Sequence, residues 1–129
     1  SGEGGFGGDG VINTIISSTV ATAQSVGEVV GSDVYYAGGG SGSSYTDGNI
    51  NVTSGGGLGG GADGVHTVNG SNDYRAGVNA AANTGGGGSG ANGQVTAGNA
   101  SLYSNLSSGD YLTGGNGGSG VVIIKYTLD

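Results

Sequence analysis

Apolar positions are concentrated towards the two ends of the chain. Residues 11–37 carry Val11, Ile12, Ile15 and Ile16, then Val29 and Val30, then Val34, Tyr35 and Tyr36. β-Branched and aromatic residues at this density, with few helix caps around them, predict short strands near residues 11–16 and 33–37. A helix over residues 19–30 is the alternative for the stretch between. The other end closes on Val121, Val122, Ile123 and Ile124, followed by Lys125 and Tyr126, an uninterrupted run with the signature of a buried strand. Three segments in between, residues 43–54, 65–84 and 94–113, are rich in Ser, Thr, Asn and Asp, and each carries Tyr. They read as long polar loops, with Asp47-Gly48, Asp63-Gly64, Asn69-Gly70 and Asn92-Gly93 as turn pairs that enter left-handed conformations at low cost.

Glycine changes this picture most. The 129 residues include 35 glycines and no proline, and the glycines fall in bursts near residues 2–10, 38–42, 55–64, 85–93 and 114–120. Only 25 residues are Val, Ile, Leu or Phe, so the core is small and the composition lies at the edge of disorder. Ordering each residue costs about 1–2 kcal/mol and glycine loses the most. Side-chain burial alone does not offset that. What glycine permits is close approach of main chains, as in an extended helix of the polyproline II type, whose N–H and C=O groups must find partners on neighbouring segments. The expected fold is therefore mostly β and irregular: packed polyglycine II-type helices with short β-strands, long polar loops and little or no α-helix. The structural runs are Gly38, Gly39 and Gly40; Gly55, Gly56, Gly57, Gly59, Gly60 and Gly61; Gly85, Gly86, Gly87 and Gly88; and Gly114, Gly115, Gly117, Gly118 and Gly120. Their spacing has no fixed period, which argues against a solenoid. Residues 1–129 read as one glycine-rich domain, and because the first residues begin in mid-motif, as the carboxy-terminal part of a longer protein.

Two cations, Arg75 and Lys125, stand against nine acids, for a formal net charge of −7. A phosphate backbone would be repelled, so nucleic acid is not an expected partner. Cysteine is absent, which excludes a disulfide framework and thiolate metal sites. No segment supplies the roughly 18 apolar residues of a membrane span, so no membrane insertion is expected.

The order of the motifs carries a resemblance. Tyr35-Tyr36-Ala37-Gly38-Gly39-Gly40, the run from Gly55 to Gly61, Asn83-Thr84-Gly85-Gly86-Gly87-Gly88, and the closing Gly117-Gly118-Ser119-Gly120-Val121-Val122-Ile123-Ile124-Lys125-Tyr126 together resemble the glycine-rich tail-fibre and adhesin proteins of tailed phages. The resemblance is firmest from Tyr35 to Tyr126. It implies a stack of polyglycine II helices with variable receptor-binding loops over residues 43–54, 65–84 and 94–113. It also implies a virion location at the particle surface, and as partners other virion proteins and a host cell-surface glycan or outer-membrane protein. A homo-oligomer is implied by analogy with trimeric fibres, and a monomer capping a trimeric shaft is equally allowed. A structural virion protein, as capsid decoration or tail component, and a bacterial extracellular surface or fibre protein stay open beside the adhesin.

Loop composition fits recognition without chemistry. Tyr supplies a large rigid face with a hydroxyl, and Asn and Ser supply adaptable hydrogen bonds. The contact candidates are Tyr45, Asp47 and Asn49; His66, Asn72, Tyr74 and Arg75; and Tyr103, Asn105 and Tyr111, with solvated loop residues or filler between glycine runs as the plainer reading of each. Arg75 suits a carboxylate or an acidic sugar, or a tie to a neighbouring Asp.

No enzyme, cofactor or metal site is expected. Residues 88–93 fit G-x-G-x-x-G, but no apolar strand precedes them and no helix-forming stretch follows. Residues 56–60 come near a calcium-binding repeat but place Gly61 where the aspartate belongs. Asp63 and Asp73 as ion ligands read more simply as turn formers. His66 near Asp63 and Asp73 forms a triad on paper only. Asp73 and Asp110 carry no mark of a glycosidase pair. Sequons at Asn51, Asn69, Asn99 and Asn105 would matter only in a eukaryotic secreted protein.

Overall fold

The computed structural model describes residues 4–46, 54–68, 74–97 and 99–128. A three-stranded antiparallel sheet in the order β1-β3-β2 is built from β1 (Val11–Ile12), β2 (Glu28–Val30) and β3 (Asp33–Tyr36). β2 and β3 form a hairpin in which Val30 pairs with Asp33 across Gly31 and Ser32, and Gly31 takes the positive φ (63°) that such a two-residue turn demands. β1 is shorter than its apolar run because Asn13 turns the chain, its Oδ1 accepting the N–H of Ile15 at 2.8 Å. Between β1 and β2 lies a seven-residue helix, α1 (Ser18–Gln24), which overlaps the first part of the alternative helix over residues 19–30. Ser17 caps it by accepting the Val20 N–H, and Ser25 ends it in the left-handed region. Ala21 of α1 packs on Val34 and Tyr36, with Ile16, Val26, Val29 and Ile123 around them.

Most of the remaining order is main chain on main chain, and its hydrogen bonds recur every third residue. Gly38, Ser41 and Ser44 donate to the carbonyls of Gly59, Ala62 and Val65 at 3.0–3.1 Å. On another side of the same run, Gly39 and Gly42 donate to Gly8 and Gly5, and on a third, Gly87 and Gly90 donate to Gly38 and Ser41. Gly7 and Gly10 donate to Gly55 and Leu58; Gly115 and Gly118 donate to Ser89 and Gly86; Gly77 and Ala80 donate to Thr113 and Asn116. Six stretches separated along the sequence thereby satisfy one another's polar groups. Close approach explains the residue type: a methyl group on Gly7 would overlap the carbonyl oxygen of Gly39, and one on Gly57 that of Gly8. Packing is looser at Gly55 and Gly114, and nothing lies within 4 Å of a side chain built at Gly120.

Three carboxylates complete the third run. The N–H of Gly56 donates to Asp63 Oδ1 at 2.8 Å and that of Leu58 to Asp9 Oδ1 at 2.9 Å. Those of Gly59 and Gly60 both donate to Glu28 Oε2, at 2.7 and 2.8 Å.

Two expectations need correction. Part of the polar segments is regular: β4 (Ser44–Thr46) and β5 (His66–Val68) pair in parallel, with Ser44 opposite His66. This pairing continues the ladder begun by Gly38 and Ser41, so the strands are an extension of the glycine register. Ala100–Leu102 form a single 3-10 turn. The closing apolar run is not a buried strand: both sides of β3 are occupied by β1 and β2, the run joins neither outer edge, and Val122 is 86% exposed. Ile123 packs against the core.

Candidate functional site

Tyr74, Tyr103 and Tyr111, chosen from two different polar segments, come together with Arg75 at one end of the lattice. Arg75 bridges Asn92, whose N–H donates to the Arg75 carbonyl at 3.0 Å. The Asn92 side chain donates to the Ser44 carbonyl at 2.7 Å, tying this region to the start of β4. A second bridge sets Gln94 opposite Tyr111, and it is secured by Val95 N–H donating to Asp110 O at 2.8 Å and Leu112 N–H to Gly93 O at 3.2 Å. Val95 and Leu112 are buried. The residues between them in the alternation, Gln94 and Tyr111, therefore face outward together.

Asn99 is the hub. Its side chain is 2% exposed; Oδ1 accepts the Thr96 N–H at 2.6 Å, and Nδ2 donates to the carbonyls of Tyr74 at 3.3 Å and Gln94 at 3.4 Å. The Tyr103 hydroxyl adds a brace, accepting the Ala76 N–H at 3.1 Å and donating to the Tyr74 carbonyl at 3.4 Å. One buried carboxamide and one phenol thus fix the segments that carry Tyr74, Gln94 and Thr96 relative to one another. Gly93 supplies the floor. Its φ of 85° suits glycine, and a Cβ there would collide with the Tyr74 ring.

The result is a cleft of about 350 Å³ lined by Tyr74, Gly93, Gln94, Thr96 and Tyr111. Tyr111 is 75% exposed. Among the described residues, the Tyr74 and Tyr111 hydroxyls and the Gln94 carboxamide make no hydrogen bond within the protein, so they are open to a ligand. A second cleft of about 310 Å³ lies between the sheet and the closing segment, lined by Val11, Ile15, Tyr36, Thr84 and Ile123 among others. The aliphatic side chains of Val11, Ile15, Ala37, Val121 and Ile123 line it beside the polar side chains of Asn13, Tyr36 and Thr84.

The remaining candidates are dispersed. Tyr45 lies in β4 opposite Thr67. His66 lies in β5, its Nδ1 3.0 Å from Ser44 Oγ, while Nε2 is buried without a partner among the described residues. Asn105 is exposed and belongs to no element. Asp47, Asn49 and Asn72 lie outside the described residues. Gln94, Thr96 and Asn99 were not singled out from the sequence as contact residues. The Asn92-Gly93 turn pair was the local sign of a chain reversal there, and nothing local marks Asn99 as buried. That burial also removes the Asn99 sequon as a glycan acceptor in the folded chain.

Compared with known proteins, the chain matches no family, no curated protein and no solved structure.

Proposed function

We propose that this chain is a non-enzymatic phage virion protein, a tail-fibre tip or adhesin domain that holds receptor-binding loops on a stack of polyglycine II helices. The observation that carries the reading is the recurrence of lateral hydrogen bonds at every third residue between separate glycine runs. A polyglycine II helix has three residues per turn and no internal hydrogen bonds. Each turn therefore returns an N–H to the same neighbour. Such a stack orders its runs without a large apolar core and leaves the intervening segments free to vary. The tyrosine cleft, braced by Asn99 at the end of the lattice, is a recognition surface of the kind this architecture would present.

On this reading the partners are other virion proteins at the base of the domain and a host-surface glycan or outer-membrane protein at the loops. The test is to image a labelled antibody against this segment on virions of the encoding phage and to ask whether the isolated chain blocks adsorption. Labelling at the fibre tip with dose-dependent blocking is expected, and no blocking at saturating dose overturns the adhesin assignment.

A structural virion role is the second reading, favoured by the exposed apolar residues Val122, Ile124, Tyr126 and Leu128, which fit contact with another chain in an assembly. Cross-linking of this segment to a virion protein, together with failure to block adsorption, would select it.

A further inference from the structure

We propose that the cleft between Tyr74 and Tyr111 binds one neutral hexopyranose ring. This deepens the adhesin reading by naming a ligand class for its loops, and it rests on that reading only for its biological setting.

Three features of the cleft lead to this class. Its size comes first: about 350 Å³ lies at the lower end of the roughly 300–1,000 Å³ typical of small-molecule sites. That suits one six-membered ring better than an extended peptide. The lining comes second. Tyr74 and Tyr111 present aromatic surface that suits the C–H face of a sugar, and their hydroxyls and the Gln94 carboxamide are free to donate and accept around a ring of hydroxyl groups. Among the described residues no aliphatic side chain lines the cleft, so a peptide would find there no apolar anchor pocket of the kind that dominates protein interfaces.

Charge comes third. The net charge of −7 disfavours phosphates and sugar acids. Arg75 already has an interaction partner in the structure, and the nearby Asp110 carboxylate accepts the Ser107 N–H at 2.8 Å. Neither charge lines the cleft.

Preorganisation supports weak but specific capture. The Asn99 and Tyr103 hydrogen bonds fix the backbone behind the site, so little ordering is left to be done on binding.

The experiment is saturation-transfer difference NMR on the full chain with the methyl glycosides of glucose, galactose, mannose and N-acetylglucosamine at millimolar concentration. Tyr111→Ala and Gln94→Ala serve as variants, and thermal unfolding confirms that each is folded. Transfer to at least one glycoside is expected, strongest on the C–H protons of one ring face and reduced about fivefold or more in Tyr111→Ala. Absence of transfer to all four, or transfer unchanged in both folded variants, overturns the proposal. The same variants are then tested for blocking of phage adsorption. Blocking without sugar binding removes the saccharide and leaves the adhesin; sugar binding without blocking does the reverse.

Discussion

The backbone N–H of Gly59 donates to the Glu28 carboxylate at 2.7 Å, so the β2–β3 hairpin is fastened to the third glycine run by a charged acceptor. The same oxygen takes the N–H of Gly60. Both glycines have positive φ, 101° and 86°, and this turn aims two consecutive donors at one point. Glu28→Ala leaves both donors without that acceptor and is expected to cost about 2–3 kcal/mol, whereas Glu28→Gln, which keeps a carbonyl oxygen, costs less. Urea denaturation of the two variants measures the difference, and equal midpoints for Glu28→Ala and the parent chain would refute the clamp.

Glycines that look equivalent in the sequence differ sharply in their surroundings. Gly57→Ala drives a methyl into the Gly8 carbonyl, while Gly8→Ala meets nothing within 4 Å. The first is expected to destabilise by about 3 kcal/mol or more, as overpacking against a rigid backbone does. The second should stay within about 1 kcal/mol of the parent, helped by a stiffer unfolded chain. A common response of the two variants in thermal unfolding would contradict the close-packed lattice.

Tyr36 is 9% exposed, and its hydroxyl has no hydrogen-bond partner among the described residues. Burial raises its pKa above the ordinary 10.0. The unfolded chain therefore releases this proton first as pH rises. Tyr36's contribution to stability is complete below pH 10.0, falls above it, and stops changing once pH passes the raised folded value. Tyr36→Phe is expected to leave stability at neutral pH unchanged or increased by up to about 1 kcal/mol, and to flatten the alkaline decline. Denaturation midpoints from pH 8 to pH 11 (about the span of tyrosine ionisation) test the sign.

Asn99 joins three backbone groups from two segments, the Thr96 N–H and Gln94 carbonyl of one and the Tyr74 carbonyl of the other. Asn99→Ala leaves the Thr96 N–H and the Tyr74 and Gln94 carbonyls without that partner and is expected to cost about 2–3 kcal/mol. Amide exchange should quicken at Thr96 and Ala76 while the β2–β3 hairpin keeps its protection. Uniform loss of protection across the chain would show that the hub supports the whole fold.

The architecture was legible in the sequence to the extent that backbone chemistry fixes it. Runs such as residues 38–40 and 85–88 lack Cβ atoms, and a chain of glycines with little apolar material has main-chain contact as its remaining source of order. The strand at residues 33–36 was legible too, because Val34, Tyr35 and Tyr36 favour a pleated surface and alternate between core and partial exposure. α1 was less so: Thr19 and Val20 suggest extended chain, and the Ser17 cap with burial of Ala21 against Tyr36 overrides them. Composition drew attention to Tyr74, Tyr103 and Tyr111 but gave no means of grouping them.

The residues alone determined that this chain must satisfy its polar backbone sideways, between stretches far apart in sequence, because glycine supplies donors and acceptors and almost no apolar surface. Which stretch meets which was decided in three dimensions. The partners of Gly38, Gly39 and Gly87 depend on how the chain returns through its polar segments, and no local pattern encodes that path. For the same reason Asn99 became a buried hub and Asn105 an exposed loop residue, although both are asparagines in similar polar surroundings. The closing apolar run shows the converse. Its pattern specified a strand, but strand formation requires a free edge in register, and the folded chain brought none to it.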